Sequence, residues 1–277
     1  MADKTLRKPT GLARAVFALV CLWLALLLLV PLFALVLAVV KDWTEVVQVL
    51  SSREARNALL LSLAVAAACI VSNGIFGVAG ALVLVRQRFA WRRLLDALVD
   101  MPLALSPVMT GLAFLLVFGR SGVFRPLLDA AHLEVAFAWP SVLLATLFVT
   151  MPFTLREVAL VLEEIGDSEE QAAATLGASP WQTFWRVTLP NIRGGLIVGT
   201  TLTTARALGE FGAVLVVGGS IANRTQTATT FIHAAIEERQ EPAAYGMALI
   251  LAAAAIVLLL AMQGIDPTQK RRAAHGD

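Results

Sequence analysis

Residues 163–190 read EEIGDSEEQAAATLGASPWQTFWRVTLP, a polar, helix-forming stretch set between two long apolar ones. Asp167 or Ser168 supplies a short side-chain oxygen at a helix start, where it can accept from the free N–H groups of the first turn. Ala172, Ala173, Ala174 and Leu176 favour helix, and Gly177 can take the left-handed conformation that ends one. Ser179-Pro180 opens a second short helix, with Ser as its cap and Pro at its first position, and Pro190 is expected to end it. Trp181, Phe184, Trp185 and Val187 recur at roughly helical spacing, which gives this second helix one apolar, aromatic face. A compact helix–turn–helix with an aromatic face, carried between membrane segments, reads as a docking surface.

Composition supports the membrane setting. Hydrophobic residues make up 58% of the 277 residues and charged residues 15%, against about 45–50% and about 25% in a soluble domain. The chain therefore reads as a polytopic protein of the lipid bilayer. A net charge of +2 is too small to point to nucleic acid. Cys21 and Cys69 fall inside apolar segments and read as packing residues, not as a disulfide or metal pair. His132, His233 and His275 lie apart in loops or the tail, and the sequence holds no H-E-x-x-H and no Cys/His cluster. It also holds no G-x-x-x-x-G-K-[ST] phosphate loop. No cofactor and no catalytic residue are expected on this chain, and if ATP drives it, a partner must bind the ATP–Mg.

Along the chain, six apolar spans are expected at about 15–40, 59–85, 98–118, 139–161, 192–217 and 243–263. Residues 1–14 carry Lys4, Arg7, Lys8 and Arg14 against Asp3. The apolar run after them is longer than the ~7–15 residues of a signal peptide core, so it reads as an uncleaved first span. Lys and Arg gather in this N-terminus, in the loop after the second span and in the tail 265–277. With six spans these segments share one side with the 163–190 loop, and the positive-inside rule makes that side the cytoplasm. Arg120, Arg125, Arg224 and Arg239 fall on the other side and run against the rule.

Two spans carry polar residues that mark a candidate path. The fifth holds Thr200, Thr201, Thr203, Thr204, Arg206 and Glu210. Charges at membrane depth cost several kcal/mol unless paired or wet, and mark transport paths by default. Arg206 and Glu210 are four apart, on one helix face, and able to pair. Hydroxyls and an Arg suit a passing oxyanion, whose water they replace; a structural lock between helices is the other reading, and the better one for Glu210. Gly195 and Gly199 form a G-x-x-x-G pair suited to close packing. In the third span Met101-Pro102, Ser106-Pro107 and Gly111 break helix regularity, as backbone lining a cavity does and as plain packing kinks do. Ser106 and Thr110, four apart, are candidates to face a pore together.

The 163–190 stretch resembles the EAA loop of permease subunits of ATP-binding-cassette importers, E-A-A-x-x-x-G-x9-I-x-L-P. Ala172, Ala173, Gly177, Leu189 and Pro190 match in register; Gln171 stands where Glu is usual, directly after Glu169 and Glu170, and Val187 where Ile is usual. The resemblance assigns Glu170, Gln171, Ala172, Ala173, Leu176, Gly177, Leu189 and Pro190 to a cytoplasmic coupling loop. Beyond the loop, LVDMPLALSPVMTGLAFLLVFG (98–119), ATLFVTMPFTLREV (145–158), TLGASPWQTFWRVTLPNIRGGL (175–196) and ARALGEFGAVLVVGG (205–219) are similar to CysW-type permeases of sulfate/thiosulfate importers. The similarity covers about residues 60–260 and is weakest in the loop 220–242.

That family implies an all-α membrane protein with six transmembrane helices in the type I importer permease (MetI-like) fold, in the bacterial inner membrane with both termini cytoplasmic. It implies a heterodimer with a second related permease subunit, two cytoplasmic ABC ATPase subunits docked on the coupling loops, and a periplasmic sulfate-binding protein. Molybdate and tungstate permeases carry a string like R-A-L-G-E-F-G-A and are the nearest alternative. An ion-coupled secondary transporter leaves the 163–190 loop without a role and shows inverted repeats, which this sequence does not. A membrane enzyme needs a metal or nucleophile constellation at membrane depth, which is also missing from the sequence.

Overall fold

The computed structural model describes residues 11–265, all of whose regular structure is helical. The basic residues 1–10 and the tail 266–277, the ends expected in the cytoplasm, lie outside the described residues. Helix α1 (Gly11–Lys41) is apolar all round and leaves Phe17, Leu22, Trp23 and Phe33 exposed. A helix with no polar face and almost no protein cover is one that faces lipid. It meets the rest along one edge, at α2 (Trp43–Leu50) and α13 (Glu241–Ile265).

The centre is a bundle of three helices, α3 (Arg53–Arg86), α7 (Trp139–Ile165) and α10 (Leu189–Leu208). Small residues set its closeness. Gly77 of α3 lies against Thr154 and Leu155 of α7, and Gly195 and Gly199 of α10 lie against the Glu157 carbonyl and the Thr154 Cα. Between helices in lipid, contact of this kind replaces the hydrophobic drive available in water. Leu84, Leu155, Val158, Leu162 and Ile192 fill the end of the bundle nearest the 163–190 stretch.

The segment expected as a third span is two helices, α4 (Arg92–Ala104) and α5 (Pro107–Phe118), bent by 114°. Ser106, held extended at φ −62° and ψ 139° before Pro107, makes the corner. The fifth segment is also divided: α10 stops at Leu208, and α11 (Gly212–Gly218) follows after Gly209, Glu210 and Phe211. Gly111 of α5 lies on Ala213 and Val216 of α11, and Gly212 on Pro107, so the two broken segments rest against each other. Among the described residues four helices are long and apolar enough to cross a membrane, or five if the α4–α5 pair is one span. The loops 119–138 and 218–242 contain short helices, α6 (Arg125–Ala130) and α12 (Ala228–Glu237).

Candidate functional site

The 163–190 stretch folds as two helices with a sharp turn. Helix α8 (Ser168–Thr175) follows Gly166, which sits at φ +67°. Asp167 stands at its N-cap position, but neither its side chain nor that of Ser168 caps the first turn. The helix ends on Gly177 at φ +84°. The Gly177 N–H donates to the Ala174 carbonyl and the Ala178 N–H to the Ala173 carbonyl, both at 3.0 Å. This is the Schellman pattern that glycine at this place permits. Ser179 then caps α9 (Pro180–Thr183) reciprocally with Gln182, at 3.3 and 2.9 Å.

Pro190 does not end this second helix. The chain runs from Pro180 through a π-helical turn, Phe184–Thr188, into α10. Proline has no N–H to give a ladder bond. The Leu189 N–H donates five residues back, to Phe184, and the widened turn carries the helix past Pro190. The surface helix and the membrane helix are thus one mechanical piece.

The loop is pinned from behind by Arg86, the last residue of α3. Its Nε meets Glu170 Oε2 at 2.9 Å, and its two terminal nitrogens donate to the Leu162 and Gly166 carbonyls at 3.2 and 2.6 Å. These carbonyls belong to the end of α7, where a cation is favoured. Thr188, in the π turn, donates to the other Glu170 oxygen at 2.8 Å, and Asn191 donates to Glu169 at 2.6 Å. Glu169 and Glu170 also stand in the first turn of α8, the end that favours negative charge. Ala173 is half-buried, Leu189 lies on the central core, and Gln171, Ala172 and Pro190 are exposed. On the outer side Leu176, Trp181 and Trp185 are 88%, 69% and 50% exposed. Trp181 and Trp185 meet edge to face with ring centres 5.5 Å apart. The result is an apolar face on a rigid mount.

Within the spans the polar residues divide. Arg206 and Glu210 pair at 2.7 Å, with side-chain exposures of 31% and 1%. The other Glu210 oxygen accepts from the Ala213 N–H at 3.1 Å, and Thr229 donates to the Glu210 carbonyl at 2.6 Å. Glu210 therefore ties α10, α11 and the start of α12 together, which is the geometry of a lock. Thr203 is fully buried and shares a 3.0 Å hydrogen bond with Thr154 of α7. Thr200, Thr201 and Thr204 donate to carbonyls four residues back in their own helix. Ser106 and Thr110 are not brought to one surface: Ser106 is exposed and Thr110 is buried.

Sequence reading misses three elements of this framework. Arg86 counts there only as one of a run of positive charges. Asn73 of α3 donates to Thr150 of α7 at 2.8 Å, a buried bond between helices like that of Thr154 and Thr203. Arg156 of α7 binds Asp96 and Asp100 of α4, each at 2.7 Å, and so holds the bent segment to the central bundle. The spacing of Asp96 and Asp100, four apart, is the available signal for a shared cation.

Comparison with known proteins fixes the family. Residues 73–274 match the family described as the binding-protein-dependent transport system inner membrane component. The chain belongs to that family. It is 46% identical over 211 residues to the sulfate transport system permease protein CysW of Synechococcus elongatus, covering 76% of this chain and 74% of that one. It is 36% identical over 252 residues to the sulfate transport system permease protein CysT of Escherichia coli, covering 91% of each. Among solved structures, a bacterial ABC transporter involved in the import of the acidic polysaccharide alginate superposes with a TM-score of 0.76, over 93% of this chain and 95% of that one, at 17% identity. At that identity the likeness speaks for the fold. As an inner membrane component of this family, the chain is a multi-pass, all-helical permease with the type I importer fold.

Proposed function

We propose that this chain is one permease subunit of an ATP-driven importer that carries sulfate, or thiosulfate, across the inner membrane. The observation that carries the reading is the similarity to sulfate permeases over most of the chain, including the clamped helix pair 168–188. In this reading α1, α3, α4–α5, α7, α10–α11 and α13 are the six spans, both termini are cytoplasmic, and the helix pair faces the cytoplasm. Leu176, Trp181 and Trp185 enter a groove on a partner ATPase, which binds the ATP–Mg. The similarity to both CysW and CysT supports a second, related permease subunit as the other half of the pore. The family description supports a binding protein that delivers solute, here a sulfate-binding one.

Movement of the ATPase pulls on α8. Through Glu170–Thr188 and Glu169–Asn191 the pull reaches α10, and through Glu170–Arg86 it reaches α3. The Arg206–Glu210 pair then passes it to α11 and its contact with α5. The exposed aromatic face is the part most easily tested. Trp181→Glu, which puts a charge into an apolar contact, is expected to lose the ATPase on co-purification while the permease pair stays assembled. Retention of the ATPase at wild-type stoichiometry sinks the docking role of this face.

A further inference from the structure

Three of the four arginines that run against the positive-inside rule gather at one place. Arg120, Arg125 and Arg224 line one cavity of about 400 Å³, with Glu134, Phe137 and Ile221 among its walls. The cavity lies at the Trp139 end of α7, and the coupling loop follows the other end. Helix α7 is about 40 Å long at 1.5 Å per residue. Arg125 is held by Asp129 at 2.7 Å. The Arg120 and Arg224 side chains make no hydrogen bond or ion pair among the described residues. Even with Glu134 and Asp129 counted, the cavity keeps a net positive charge.

Its walls are also unusual in backbone. The five described non-glycine residues with positive φ, His132, Phe137, Ser220, Asn223 and Arg239, all sit in the loops 119–138 and 218–242, and Phe137 itself lines the cavity. Such conformations persist only where the surroundings over-determine them, and they gather at binding sites. Here both loops are fastened to the end of α11. The Phe137 N–H donates to Val217 at 3.0 Å, the Ser141 hydroxyl donates to the same carbonyl at 3.2 Å, and the Thr225 hydroxyl donates to Gly218 at 2.7 Å. The basic groups are therefore displayed from a fixed frame, at the end of the two broken segments α5 and α11.

We propose that this cavity is a low-affinity subsite for a small tetrahedral dianion at the outer mouth of the permease. A concave, cationic cleft concentrates anions, and arginine forks match the paired oxygens of a sulfate-like ion. The inference rests on the proposed orientation and oxyanion cargo.

The test is equilibrium dialysis of the purified permease–ATPase complex against radiolabelled sulfate, without binding protein. The double variant Arg120→Gln/Arg224→Gln is expected to bind about tenfold more weakly, the scale of removing two exposed charge contacts. Arg120→Lys/Arg224→Lys keeps the charge but not the fork and is expected to weaken binding less than the double Gln variant, while Arg239→Gln, an arginine outside the cavity, is expected to retain binding. Unchanged binding in the double Gln variant overturns the proposal. So does normal binding together with a raised requirement for binding protein in half-maximal ATP hydrolysis, which gives these arginines to an acidic partner surface. Wild-type complex that imports sulfate but shows no dialysis signal sinks the subsite alone. A dialysis signal in a complex that imports some other anion sinks the sulfate reading alone.

Discussion

Arg86 is the side chain on which the 163–190 loop hangs, since it holds the ends of α3 and α7 and the start of α8 at once. Glu170→Ala removes its carboxylate and the Thr188 bond together, and is expected to cost about 1–3 kcal/mol of stability. The variant should lower the thermal midpoint in detergent and reduce solute-stimulated ATP hydrolysis more than basal hydrolysis. Gln171→Glu, at the neighbouring exposed position, should leave stability within about 0.5 kcal/mol of the parent. The same contrast explains what can be read from sequence alone. Gly177, the Ser179 cap and the Arg206–Glu210 pair are local in the chain, and residue spacing reveals them. Arg86–Glu170, Asn73–Thr150 and Thr154–Thr203 join positions 84, 77 and 49 residues apart, which only the folded chain brings together. Thr203 reads as a candidate for the path because a hydroxyl in a span is the same in sequence whether it faces a pore or another helix.

At the level of elements, helix termini and breaks decide the geometry. Gly177 has open space around it, so Gly177→Ala tests only its backbone conformation at φ +84°. A Cβ there costs about 1–2 kcal/mol, and circular dichroism melts of the assembled complex should register that loss, with Asn milder than Ala. Gly199 presents the opposite case. Its Cβ position is 2.7 Å from the Thr154 Cα, so Gly199→Leu must push α10 from α7. We expect about 1–3 kcal/mol of destabilisation and loss of the complex on size exclusion; full assembly at wild-type stability contradicts a close α7–α10 contact. Pro190 shows where reading an element from sequence goes astray. Proline marks a helix end by rule, yet here the π turn Phe184–Thr188 absorbs the missing donor and the helix continues. The corner at Ser106-Pro107 is legible as a break, but its angle of 114° depends on the Arg156 clamp and the α5–α11 contact, which no local pattern states.

At the scale of the whole molecule, a lipid-facing α1, a tight α3–α7–α10 centre and two broken segments resting on each other form a frame. The 163–190 loop stands at one end of α7 and the arginine cavity at the other. Composition and apolar runs make the membrane class and the helical architecture legible, because lipid leaves few solutions for backbone polar groups. The division of the third and fifth segments is less so, since hydropathy averages over a break. The central claim is that solute at one end controls ATP hydrolysis at the other through residues 168–190. Its most direct test is ATP hydrolysis by the reconstituted complex with binding protein, titrated with sulfate and then molybdate, in the parent and in a chain lacking Ala172–Gly177. Sulfate should stimulate the parent, and the deletion should abolish that stimulation. Stimulation by molybdate alone, or sulfate import that persists without ATP, would contradict the claim.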